Sequence, residues 1–257
     1  MAIDQELAMS EVKSYQVWDA PTRWFHWINA LCVMTLAAVG LVILNDGALG
    51  ISNEGKITLK TLHVWVGYVF VLNFCWRIVW AFVGNRYARW SRIIPGGPGY
   101  LRALRSYVAS FVAGSPEQYL GHNPLGRISV AALFVLMTTQ AITGLVLAGT
   151  DIYYPPLGPW VARLIAAPGV DPSTLVPYAP QLYDKAAFDS MRAMREPFAT
   201  VHVYGFYLLI LTAILHIVAV VVTELREGGS LISAMFTGRK LIVGTPVDLP
   251  DERPKGM

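Results

Sequence analysis

The stretch ATVHVYGFYLLILTAILHIVAVVVT, Ala199 to Thr223, decides how this chain is read. It contains no Lys, Arg, Asp or Glu, and it is longer than the roughly 20 residues a helix needs to cross a bilayer. Two histidines interrupt it, His202 and His216, separated by 14 positions. At about 3.6 residues per turn that spacing is just under four turns, which puts both imidazoles on nearly the same helix face. At a rise of about 1.5 Å per residue they lie ~21 Å apart along the axis, one toward each side of the membrane. An ionisable side chain inside a span is costly and points to function. Two on one face favour a functional pair over two unrelated structural histidines.

The whole chain agrees with a membrane protein. Of its 257 residues 54% are hydrophobic and 14% charged, against about 25% charged in soluble domains. The net charge of +3 is too small to imply a nucleic-acid partner. Cys32 and Cys75 both fall inside apolar stretches and are expected to be small buried residues. There is no CxxCH for covalently attached haem and no CxxC pair for zinc or iron–sulfur. The polar N-terminus, MAIDQELAMSEVK, lacks the apolar core of a cleaved signal peptide, so the first span is expected to target the chain.

In chain order the apolar runs are Trp24–Leu44, Lys60–Val83, Ile128–Ala148 and Ala199–Thr223. They predict an all-α membrane protein, a four-transmembrane-helix bundle forming one integral-membrane domain over residues 1–257. Asp19 and Pro21 supply a cap and a first-turn proline for span one, and Pro197 introduces span four. The connection Gly84 to Arg127 carries Arg86, Arg89, Arg92, Arg102, Arg105 and Arg127 against one acid, Glu117. The excess of basic residues near span ends assigns it to the cytoplasm, together with both termini. Within it, Leu101, Leu104, Val108, Phe111 and Val112 recur at helical spacing. They read as an amphipathic helix, either on the lipid of the inner leaflet or packed on the bundle. Thr150 to Glu196, with YYPPLGPW and a possible helix from Leu182 to Arg195, is long for a plain loop. It is expected to be functional or to form a cap.

Depth sorts the histidines into pairs. Span one runs outward from His26; spans two and four run inward from His63 and His202. His26 therefore shares the inner level with His216, and His63 the outer level with His202. Two imidazoles facing each other across a bundle are what bis-histidine haem ligation requires. Gly40 follows His26 by 14 positions and Arg77 follows His63 by 14, so each falls at a histidine level on its own span. A glycine leaves room for a porphyrin edge and an arginine can pair with a propionate. Gly67 and Gly205 lie one turn beyond His63 and His202, where close helix packing explains a glycine equally well. For Arg77 the plain alternative is a side chain snorkelling to the membrane edge. Arg23, Lys60 and Arg127, cations at span ends, complete the candidate cofactor contacts. A tetrahedral zinc site fits poorly, because the long separation along span four keeps the histidines from converging on one ion. A proton pathway is possible but does not need matched pairs at two depths.

Five segments carry a family resemblance: RWFHW at 23–27, LKTLHVWVGY at 59–68, RIVWAFVGNRYARW at 77–90, GHNPLGR at 121–127 and LHIVAVVVTELREGGSLISAMFTGRK at 215–240. Together they resemble the bacterial di-haem cytochrome b family, which includes the b-type subunits of nickel–iron hydrogenases and of membrane formate dehydrogenases. The resemblance implies that His26, His63, His202 and His216 ligate two b-type haems. It implies electron exchange between a periplasmic redox partner, such as a hydrogenase-type subunit, and membrane quinone, in the bacterial inner membrane. It also suggests a quinone site on the cytoplasmic side, where His122 and Asn123 are candidates; a plain turn at Asn123–Pro124 is the alternative. The long proline-rich outer segment departs from the family pattern and leaves the partner open. Two other functions stay open as well: a free-standing quinone-coupled oxidase, for instance of superoxide, and a transporter that relays protons through histidine.

Overall fold

The structure is a computed structural model and describes residues 12–227 and 230–249. Most of the polar N-terminal stretch read above lies outside the described residues. In chain order the elements are β1 (Val12–Gln16), α1 (Ala20–Leu44), α2 (Asn53–Val83), α3 (Trp90–Ile93) and α4 (Tyr100–Val112). They continue with α5 (Pro124–Asp151), α6 (Gly158–Ile165), α7 (Lys185–Glu227), α8 (Leu231–Thr237) and β2 (Arg239–Val243). Four of them, α1, α2, α5 and α7, are long and apolar enough to cross a membrane. Leu31, Leu72, Val135 and Leu215 are each more than half exposed, which suits helices whose outer sides meet lipid. Cys32 is buried, but Cys75 faces outward from α2, contrary to expectation. A thiol is apolar enough to tolerate that surface.

Local chemistry explains where the helices start. Asp19 accepts the Thr22 amide at 3.1 Å and so caps α1. Its second oxygen takes the Trp80 indole N–H at 3.0 Å and the Asn85 amide at 3.3 Å. Asp184 does the same for α7 by accepting the Ala187 amide at 2.8 Å. That cap lies well upstream of Pro197. The expected short helix from Leu182 and the fourth span are therefore one 43-residue helix with the proline inside it. Pro197 leaves the Ala193 carbonyl without its helical partner, a cost of about 3 kcal/mol. The good helix formers Ala186, Ala187, Met191, Ala193 and Met194 sit between cap and proline and carry the helix through.

The chain divides into two compact units, each drawing on all four long helices. One comprises Met1–Trp27, Cys75–Leu133 and Thr212–Met257. Here β1 and β2 pair antiparallel, from Val12 opposite Val243 to Gln16 opposite Arg239. The two ends of the described chain thus lie on one side, as an even number of crossings requires. Val17, Trp18, Leu120, Ala234 and Ile242 form the core beneath this sheet. The helix α4 packs through Tyr107, while Leu101, Val108 and Val112 stay exposed along its flank. Both readings of this amphipathic helix therefore have a face to act on.

The other unit comprises Ile28–Phe74 and Phe134–Leu211. Its segment between α5 and α7 is a folded cap with its own core of Val161, Ala162, Ile165, Leu175, Tyr183 and Met191. A Cβ on Gly158 would sit 1.9 Å from the Tyr153 carbonyl oxygen, so only glycine fits there. Tyr68 on α2 donates to the Pro155 carbonyl at 2.5 Å and ties the cap down.

Candidate functional site

In the cap-bearing unit, α2 and α7 bring His63 and His202 together edge to face, with ring centres 6.4 Å apart and planes at 73°. The third partner is α5. The Thr143 hydroxyl lies 2.8 Å from His202 Nδ1 and also donates to the Thr139 carbonyl one turn back, at 2.7 Å. A hydroxyl has one proton to give. When that proton goes to Thr139, the oxygen accepts from His202 Nδ1–H, and Nε2 is then the bare nitrogen. Gln140 fixes the backbone beside it by donating to the His202 carbonyl at 3.0 Å. His63 Nδ1 is buried and has no hydrogen-bond partner among the described residues.

Glycines admit both rings. A Cβ on Gly40 would stand 3.3 Å from His63 Cε1, and one on Gly144 would stand 3.4 Å from His202 Cε1. Gly67, one turn beyond His63, opens on empty space, so helix packing does not explain it. Gly205 is the opposite case: Gln140 packs on it, and a Cβ would meet that side chain at 2.6 Å. Lys60, one turn before His63, binds Asp151 at 2.5 Å and Tyr178 at 2.6 Å.

The unit holding the chain ends contains the other pair. His26 on α1 and His216 on α7 both belong to this unit. His26 Nδ1 is buried without a hydrogen-bond partner among the described residues, and its ring stands edge-on to Trp27. His216 Nδ1 lies 3.4 Å from the Ser129 hydroxyl of α5. Arg77 is buried, not snorkelling; it donates to the Ala88 carbonyl at 3.1 Å and packs on the Phe25 ring. Arg23 turns away toward α8 and donates to the Phe236 carbonyl.

His122 lies closer to this pair than a loop position suggested. Its ring rests on Trp18 at 5.0 Å, and its Nδ1 is buried without a hydrogen-bond partner among the described residues. Burial, then the charges of Arg77, His216, Lys240 and Arg127, push its pKa down to about 3, so it is neutral at pH 7. Asn123 has a structural job: Oδ1 accepts the Gly126 amide at 2.6 Å and Nδ2 donates to Tyr107 at 2.7 Å. It caps α5. Arg127 stacks on Tyr100 and donates to the Ser91 and Ile94 carbonyls. A cleft of about 220 Å³ opens beside these residues, lined by His122, Arg127, Tyr100, Tyr119, Arg92 and Asp248.

Thr143, Gly144 and Ser129 escaped the sequence reading because span three has no histidine. A signal was present: Ser129 and Thr143 are 14 residues apart, the same interval as the histidines they meet. Among the described residues, no group of three or more His, Cys, Asp or Glu side chains converges as a metal cage would.

The family model for prokaryotic cytochrome b561 matches residues 17–238. This chain belongs to that family. It is similar to proteins described as probable Ni/Fe-hydrogenase B-type cytochrome subunits. The match to the one from Escherichia coli strain K12 is 32% identical and covers 58% of this chain and 66% of that one. For Rhizobium leguminosarum bv. viciae the figures are 27%, 90% and 90%. For Cupriavidus necator they are 26%, 88% and 87%. The cytochrome is thus a bacterial b-type, multi-pass membrane protein of electron transport. Its family implies a b-type haem, and the residues present suit one. Two imidazoles sharing a metal at about 2 Å per bond place their ring centres roughly 6 Å apart, close to the 6.4 Å between His63 and His202. The engagement of His202 by Thr143 through Nδ1 rather than Nε2 and the open space at Gly67 point the same way.

Proposed function

We propose that this cytochrome carries electrons between a periplasmic redox subunit of the hydrogenase type and the quinone pool, through two b-type haems in one membrane domain. The observation that carries the proposal is the close pair His63 and His202, with the Thr143 hydroxyl 2.8 Å from His202 Nδ1. His63 and His202 would hold the outer haem, and His26 and His216 the inner one. The hydrogenase partner is suggested by the names of the similar proteins. When bound, haem supplies a one-electron ferric–ferrous couple. The chain orients the ligand rings through Thr143 and Ser129, and its apolar helices exclude water. A reduced-minus-oxidised spectrum with haem quantification tests the proposal: two b-type haems per chain are expected, and a protein holding one overturns it.

Quinone is placed at the cleft beside His122. An unpaired buried imidazole nitrogen costs about 1–3 kcal/mol and gains from a ligand oxygen. His122, neutral in this setting, would hydrogen-bond a quinone carbonyl, while Asn123 holds the helix end beneath it. His122→Ala should slow haem reoxidation by added quinone up to about tenfold, the loss of one hydrogen bond of at most roughly 1.5 kcal/mol. Asn123→Ala should instead lower stability by about 1 kcal/mol and leave reoxidation near normal. Equal rates in wild type and His122→Ala, with both haems retained, would move the quinone site elsewhere.

Both chain ends are assigned to the cytoplasm and the α5–α7 cap to the periplasm of the inner membrane, on the basic excess between α2 and α5. The exposed flank of α4 then meets inner-leaflet lipid. A reporter fused at Met257 should be active only in the cytoplasm, and one inserted after Gly169 only in the periplasm. The reverse pattern would refute the orientation.

A further inference from the structure

Above the outer histidine pair, two cations share one acid. Lys60 Nζ lies 2.5 Å from Asp151 Oδ2, and Arg195 NH2 lies 3.3 Å from Asp151 Oδ1. The side chains are largely shielded, at 17% exposure for Lys60 and 15% for Arg195. The Tyr178 hydroxyl accepts a second hydrogen bond from Lys60. Among the described residues Asp151 is the one carboxylate paired with Lys60 or Arg195, so the cluster sets two cations against one anion. Arg195 Nε is moreover buried without a hydrogen-bond partner among the described residues. A shielded excess cation with an unused N–H calls for an anion.

Helical position says which anion. Lys60 precedes His63 by three residues on α2, and Arg195 precedes His202 by seven on α7. Those are one and two turns, so both cations stand on the ligand faces of their helices, the farther about 10 Å outward. Asp151 follows Thr143 by eight residues on α5, again about two turns. The only anionic groups of a b-type haem are its two propionate carboxylates, and a planar guanidinium and an ammonium are suited to them. We propose that Lys60 and Arg195, held in place by Asp151, form the carboxylate site that receives the propionates of the outer haem. The inference rests on the outer-haem reading above. It makes all three side chains positioning residues that also set the haem's potential.

The test is redox potentiometry on the holoprotein purified without a partner, so that no acidic side chain of another protein can fill the site. Removing a nearby cation favours the ferric state, so Lys60→Gln and Arg195→Gln should each lower the midpoint potential of the outer haem. Asp151→Asn should raise it, and Lys60→Arg should restore the wild-type value. The inner haem should not move. Infrared redox-difference bands of haem with 13C-labelled propionates should shift in the Gln variants. A clamp that merely braces the cap would lower thermal stability in all three variants without shifts of opposite sign. Two haems with unmoved or same-sign potentials overturn this site alone; a wild-type protein with no haem dependent on His63 and His202 overturns the outer-haem reading as well.

Discussion

His202→Ala should leave a protein that binds one haem, with the inner absorbance retained, and His216→Ala should leave the complementary species. The effect is expected to be complete, because a bis-histidine site that loses one ring loses half of its metal bonds and opens a polar void in an apolar bundle. Thr143→Val grades the same effect. It keeps size but removes the hydroxyl beside His202 Nδ1, freeing the ring to turn. Second-partner losses of this kind weaken metal binding about 10–100-fold, so the outer haem should be lost on dilution far sooner than in wild type. Gly144→Ala offers a steric counterpart, since its Cβ would press on His202 Cε1 at 3.4 Å. Haem per chain and the difference spectrum of each variant are the measurements. Both haems persisting in His202→Ala would end the ligand assignment.

If the proposed redox partner docks on the cap, the double variant Trp160→Glu, Leu164→Glu should sharply reduce electron exchange with it while leaving the haem spectrum normal. The two residues are one turn apart on α6, and both are more than half exposed on a cap whose core is otherwise filled. A tryptophan and a leucine presented together are what a docking surface offers. A buried aromatic anchor is commonly worth 2 kcal/mol or more. Replacing two anchors with carboxylates should therefore reduce partner-driven haem reduction at least about 100-fold. Reduction by dithionite should be unchanged. Normal partner-driven rates would place docking on another face of the cap.

The long helices and the histidines were legible because each rests on a pattern that distant contacts cannot overwrite. Apolar runs of membrane length have few alternatives, and the interval between His202 and His216 is the same in any helix. Asp19 was likewise readable as a cap from its neighbours alone. What could not be read depends on partners far away in sequence. Thr143 looks like any threonine in a span until His202 is beside it, and Asp151 looks like the end of a helix until Lys60 and Arg195 share it. Asn123 sat between two local readings, and its contact with Tyr107 completes a cap. The start of α7 was misplaced because proline was weighed as a boundary, while the cap at Asp184 governs.

The pairing of β1 with β2 sets an order of assembly. The strand at the start of the chain must wait for Arg239–Val243, which is made after every spanning helix. The unit that uses it closes one of the longest loops the chain can form. The cap-bearing unit ends at Leu211, ahead of that strand. A chain truncated ahead of Arg239 would keep His26, His63, His202 and His216 yet leave Val12–Gln16 without its partner strand, so the pairing of the ends can be removed without touching the candidate ligands.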